Sequence, residues 1–129
     1  MQSILEQFPD RDVDVFVVWE PVLFSDIGSP TNSVLAKVKD TRVRQLWDRN
    51  RQVAEALRPM LKSVQVTGSE ALVQGSIIWD TVVVFPPSAR WNAKTLPIFV
   101  GAPVADSEHE LRKIAVSQWP VASGEHPAR

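Results

Sequence analysis

Cysteine and tyrosine are absent from these 129 residues, and histidine occurs only as His109 and His126. Without cysteine there is no disulfide, no thiolate nucleophile and no cysteine-ligated metal. With two histidines, a zinc or non-haem iron centre would have to rely mostly on carboxylates. Glycine numbers five, and the Gly28-Ser29-Pro30 turn lacks the Gly-x-Gly spacing of a phosphate loop. The apolar runs are only a few residues long and mean hydropathy is −0.08, which excludes a spanning helix and a membrane role. Met1 to Glu6 carries neither a basic stretch nor a long apolar one, so no signal peptide is visible and the expected compartment is the cytoplasm. A net charge of −1 argues against a general nucleic-acid binder. No cofactor is implied.

What remains is an ordinary globular composition, 44% hydrophobic and 22% charged, in a chain of one domain's size. A single domain is expected over residues 1–120, with a flexible polar tail at 121–129. Charge is unevenly placed: residues 1–36 net −5, residues 37–62 net +5 and the remainder −1. Either the first two segments pack side by side and neutralise each other, or the basic one forms an anion site.

Ile4, Leu5 and Phe8 predict a short amphipathic helix over 2–8, stopped by Pro9. The run 13–19 is β-branched and aromatic, apolar on both faces from Val15, and reads as an inner strand covered on both sides. A long connection over 22–40 holds a short helix within 31–38. Asp40 then suits a helix N-cap, and Val43, Leu46, Trp47, Ala54, Leu57, Met60 and Leu61 recur at three- and four-residue steps, predicting one long helix. The segments 64–66 and 71–73 flank a turn, as a small hairpin or an irregular loop. Residues 76–85 predict a strong strand, with 96–100 its antiparallel neighbour across the loop 88–95. Pro97 marks that neighbour as an edge. Asp106, or Ser107 with Glu110 as a capping box, opens a last helix with Leu111, Ile114 and Ala115 on its apolar face, ended by Pro120.

This order of helix, strand, helix, strand, strand, helix resembles the later part of a thioredoxin-like fold. More narrowly, it is similar to a group of uncharacterised bacterial thioredoxin-like proteins. The residues that carry the resemblance are Val17-Val18-Trp19-Glu20-Pro21-Val22-Leu23, Asp40-Thr41-Arg42-Val43-Arg44-Gln45-Leu46-Trp47-Asp48, and Trp79-Asp80-Thr81-Val82-Val83-Val84-Phe85 with Pro86-Pro87-Ser88-Ala89-Arg90-Trp91. The resemblance spans about residues 13–91 and implies an α/β three-layer sandwich with a mixed sheet, truncated at the N-terminus. In that family a strand leads into a Cys-x-x-Cys at the start of the first helix. This chain begins inside the equivalent of that helix and has no cysteine, so no residue here inherits the thiol-disulfide chemistry. The missing strand would be central, between those at 13–19 and 76–85, and its loss leaves backbone donors and acceptors unpaired. The two strands could pair directly, residues 64–66 or 71–73 could fill the gap, or a second copy could complete the sheet. A homodimer is the expected repair.

Several residues are candidates for chemistry or contact. Glu20, beside Trp19 and Pro21 at a strand's carboxyl end, suits a general base with a raised pKa, or a surface carboxylate capping a loop. Asp48 and Asp80, each preceded by tryptophan, form an acid–base pair only if they meet; otherwise Asp48 pairs with neighbouring arginines on its helix and Asp80 with an arginine across a layer. Arg42 and Arg49, seven apart, share a helix face and suit a small anion, as do Arg44 and Arg51. Trp47 and Trp79 read as core, Trp91 and Trp119 as contact surface. His109 and His126 have no serine or metal partner in view. The leading expectation is a cysteine-free thioredoxin-like domain without catalysis, serving binding or oligomerisation through contacts among Glu20, Arg42, Arg49, Asp80 and Trp91, with an unidentified protein partner as well as its own copy open to it. The alternative is a fragment of a thiol-disulfide oxidoreductase whose Cys-x-x-Cys lies upstream of Met1. An anion binder using Arg42 and Arg49 is a third, tested by calorimetry with phosphate.

Overall fold

The computed structural model describes residues 1–23, 25, 28–75, 77–91 and 94–123. Helix and strand are mixed, and the strands form two small sheets. Helix α1 (Gln2–Gln7) turns Ile4 and Leu5 inward and ends before Pro9. Strand β1 (Val15–Trp19) follows, then α2 (Asn32–Leu35) and strand β2 (Val43–Trp47), which pairs parallel with β1. Helix α3 (Gln52–Leu61), strand β3 (Thr67–Gly68) and helix α4 (Glu70–Gln74) come next. Strands β4 (Val82–Val84) and β5 (Phe99–Ala102) run antiparallel, and β3 joins the far side of β5 in parallel. A 3₁₀ turn at Ala105–Ser107 leads into α5 (Glu108–Ser117).

Two apolar clusters hold these elements. Ile4 and Leu5 of α1 meet Val82 of β4, Leu111 and Ala115 of α5, and Trp119; Val15, Val43, Val84 and Phe99 pack against them. The second cluster joins Leu61 of α3, Val66, Val73 of α4, and Val100 and Ala102 of β5, with Leu57 and Val83 alongside. Alternation along β4 and β5 explains the division: Val82, Val84 and Phe99 face α1 and α5, whereas Val83, Val100 and Ala102 face α3 and α4. The β3-β5-β4 sheet is therefore covered on both faces by helices.

The long helix expected from Asp40 onward is instead a strand followed by a shorter helix. Val43, Gln45 and Trp47 turn inward while Arg44 and Leu46 are exposed, a two-residue alternation. The three-residue step from Val43 to Leu46 imitates a helical step across two different elements. Asp40 caps no helix; its carboxylate accepts from the Arg42 amide, Nε and Nη2 at 2.9, 2.9 and 2.6 Å. Asp48 is not on a helix with arginine partners. It sits just before α3, where its carboxylate accepts from the amides of Gln52 at 2.9 Å and Val53 at 2.7 Å, satisfying two of the donors that a helix start leaves free.

Other expectations are corrected by local backbone geometry. The strand over 76–85 shrinks to Val82–Val84, because Asp80 has φ +45° and breaks the extended run, with residue 76 outside the described residues. Residues 71–73, read as half of a hairpin or a loop, are helical within α4. Pro97 precedes β5, which is the middle strand of its sheet rather than an edge. Ser107 forms no capping box; its Oγ donates to the Pro103 carbonyl at 3.1 Å. The antiparallel pairing of the last two long strands and the inward Leu111, Ile114 and Ala115 of α5 agree with the sequence reading. Strand β1 is not an inner strand covered on both sides: it has one neighbour, β2, and Phe16 is 54% exposed.

Candidate functional site

The geometry of β1 is set by its pairing with β2. Val15 lies opposite Val43 and Trp19 opposite Trp47. The Val15 amide donates to the Arg42 carbonyl at 3.1 Å, and the Asp48 amide donates to the Trp19 carbonyl at 2.8 Å. In a parallel ladder this phase turns the backbone groups of Val15, Val17 and Trp19 toward β2 and those of Phe16 and Val18 away from it. Among the described residues, nothing pairs with the outward amides and carbonyls of Phe16 and Val18. The side chains on the outer face of this sheet are Phe16, Val18, Arg44 and Leu46, with Leu46 45% exposed. The Arg44 guanidinium stands 5.7 Å from the centroid of the Phe16 ring and 4.0 Å from Asp14. Both contacts are exposed and contribute modestly. The result is an apolar strand with an open backbone edge and an uncovered flank, a combination that folded chains usually guard with charge or cover.

The carboxyl ends of β1 and β2 bring several candidates together. Glu20 leaves β1 beside Asp48 and Arg51, and Arg51 donates from Nε to the Pro21 carbonyl at 3.1 Å. Partial burial raises the Glu20 carboxyl above the ordinary glutamate range; Arg51 opposes that and Asp48 adds to it. A raised folded pKa means that Glu20 favours the fold below its unfolded value of about 4.3, and that this contribution is lost as pH rises through the folded value. Chemical denaturation of Glu20→Gln is therefore expected to show no pH dependence from this position in that window, and stability at pH 7 at least equal to the parent. A variant less stable than the parent at pH 7 would show that attraction to Arg51 outweighs burial.

The arginine pairs read from spacing are not formed. Arg42 precedes β2 and Arg49 follows it, so about seven extended residues at about 3.3 Å each place them about 20 Å apart. Arg44 lies within β2, and Arg51 is the left-handed residue before α3, with φ +55°. Arg42 is also fully engaged: Nη1 donates to the carbonyls of Phe8 and Arg11 at 2.8 and 3.0 Å, and Nη2 to that of Leu5 at 2.8 Å. It lines a groove of about 850 Å³ together with Arg11, Asp12, Asp14, Lys39 and Arg44, where acids and bases alternate. That mixed lining does not favour an anion.

Asp80 is exposed on an irregular bend, and the Asp48 carboxylate is taken up by the helix-start amides of Gln52 and Val53 rather than by a second acid. Trp91 is 64% exposed, as expected of a contact residue. Two tryptophans exchange roles with the expectation: Trp79 is 52% exposed, and Trp119 is buried, edge-on to Phe8 at 6.4 Å. His109 is exposed on α5, and His126 lies outside the described residues. No three of the described His, Asp and Glu side chains converge as a metal site. No described helix is long and apolar enough to cross a membrane. An unpaired row of backbone groups beside the strand at 13–19 is what the sequence reading expects; what it misses is that the other edge pairs with Val43–Trp47, read there as helix.

Compared with known protein families, with curated proteins and with solved structures, the chain matches none.

Proposed function

We propose that this chain is a thioredoxin-like binding or oligomerisation module without a catalytic site of its own, with the open edge and outer flank of β1 as its contact surface. The observation that carries the reading is the pair of outward-facing, unpartnered peptide groups at Phe16 and Val18 in a wholly apolar strand. Strand addition supplies main-chain hydrogen bonds to such an edge, and the side chains beside it supply specificity. Val18→Pro tests the surface, because it removes an edge donor while no β1–β2 bond uses that amide. The variant is expected to keep its helix content by circular dichroism and to lose whatever association the parent shows in sedimentation velocity. Association equal to the parent's would contradict the reading. So would turnover on a substrate panel that Glu20→Gln or Asp80→Asn abolishes.

A second reading makes the chain part of a thiol-disulfide oxidoreductase whose Cys-x-x-Cys lies upstream of Met1. What favours it is the division into two sheets over one shared cluster: β1 and β4 each end a sheet, and both border the residues around Leu5 and Val82. A strand supplied from upstream would pair with the same open edge of β1. The genomic reading frame decides, since in-frame cysteine codons support it and a stop codon directly before Met1 ends it.

A further inference from the structure

Resting on the reading of β1 as an open docking edge, we infer that its occupant is β1 of a second copy of this chain, antiparallel and centred on Val17. A two-fold interface must be complementary to itself. This edge is: with Val17 on the axis, Phe16 lies opposite the partner's Val18 and Val18 opposite the partner's Phe16. Both are hydrogen-bonded pairs, so every outward amide and carbonyl of the two residues is satisfied in both copies.

The same edge is already closed just ahead of that stretch. Arg11 turns its carbonyl to Arg42 on the β2 side, while the Asp12 amide donates to the Pro120 carbonyl at 2.8 Å and the Asp10 carbonyl accepts from the Ala122 amide at 2.7 Å. The segment around Val121 thus pairs as far as Asp12 and leaves 15–19 free for an equally short strand. At each end of the new ladder, Asp14 and Arg44 of one copy come beside the partner's Glu20 and the partner's Arg51. Each acid there has a base beside it, Arg44 next to Asp14 and Arg51 next to Glu20, with the Asp48 carboxylate taken up by the Gln52 and Val53 amides. Pairing also makes one continuous apolar flank from Phe16, Val18 and Leu46 of both copies.

None of the three other edge strands competes as well, and β3 has only two residues. Strand β2 carries Arg44 within its length, and the Val43 amide is taken by the Asp40 carbonyl at 3.0 Å. Strand β4 offers only three residues.

Because the chain has no cysteine, one introduced thiol is the only one present. Val17 and the partner's Val17 form a non-hydrogen-bonded pair with Cα atoms about 4.5 Å apart, inside the range a disulfide spans. Under mild oxidation, Val17→Cys is expected to form a covalent dimer at least ten-fold faster than Leu46→Cys or Phe16→Cys alone. A mixture of Phe16→Cys and Val18→Cys chains, which leaves Val17 untouched, is expected to cross-link as a heterodimer. The parent chain in sedimentation equilibrium is expected to rise with concentration from 14.4 kDa to twice that mass. Cross-linking no faster at position 17 than at 46, with the mixture equally slow, overturns the inference, and so does a chain that stays monomeric at every concentration. In that monomer, fast amide exchange at Phe16 and Val18 leaves the open-edge reading standing, and slow exchange ends it too.

Discussion

Arg42→Ala is expected to lower stability by about 3 kcal/mol and the melting temperature by about 10 °C. The guanidinium gathers the carbonyls of Leu5, Phe8 and Arg11, where the chain leaves α1 and turns toward β1, and clamps them to Asp40 at the entry to β2. Truncation takes the charged donor from three carbonyls and from a largely buried carboxylate; Leu5 and Phe8 keep the amides of Phe8 and Arg11, and Asp40 keeps that of Arg42, but the Arg11 carbonyl loses its donor and each charge-assisted bond lost costs more than an average hydrogen bond contributes. The Arg42 hydrogen bond is also the main reason the Asp40 carboxyl lies below the ordinary aspartate range, with burial opposing it. A lowered folded pKa means that the contribution of this pair is complete above about pH 4 and is lost as pH falls through the folded value. Urea unfolding across pH 2 to 7 checks both parts: the parent should lose more stability on acidification than Arg42→Ala does. Equal midpoints at neutral pH would show that the clamp is dispensable.

Trp119→Ala is expected to cost about 4 kcal/mol, enough to unfold much of a marginal domain, whereas Trp91→Ala should stay within about 0.5 kcal/mol of the parent. Trp119 closes the cluster of Leu5, Val82, Leu111 and Ala115 and meets Phe8 edge-on, and its carbonyl accepts from Arg11 Nη1 at 2.7 Å. Removing the ring opens a cavity at the junction of α1, α5 and the segment that pairs with Arg11. Trp91 is largely solvated and has no comparable packing to lose. Thermal melts of the two variants measure the contrast, and similar losses in both would contradict the assignment of one to the core and the other to the surface.

Local pattern carried the terminal helices and the antiparallel pairing of β4 with β5. Leu111, Ile114 and Ala115 fall on one stripe of a single helix, and nothing nearby imitates another period. It failed at 40–61, where Val43 and Leu46, three apart in a strand of alternating exposure, join Ala54 and Leu57 in an apparent helical series. Asp48 marks the boundary, through a local contact with the Gln52 and Val53 amides at the helix start, but Asp40 offers the same residue type eight positions earlier. The tryptophans illustrate the same limit. Trp119 follows a helix end and looked exposed, but the return of the chain past Arg11 buries it, while the left-handed backbone at Asp80 accompanies an exposed Trp79. Among the candidate contacts, the loop position of Trp91 agrees with its exposure, and Glu20 does follow a strand's carboxyl end. Spacing leaves Arg42 open to a ligand, a partner or a structural role, because its carbonyl partners, 31 to 37 residues away, are invisible to it. The open edge of β1 depends on which strand lies next to which, and that is decided by the parallel register with β2.

Site-resolved amide exchange in the dilute chain tests the central claim most directly. If β1 presents an open edge, the amides of Phe16 and Val18 exchange quickly while those of Val17 and Trp19, bonded to β2, exchange slowly, and the fast pair becomes slow as concentration rises. Four equally slow amides at every dilution would contradict the account.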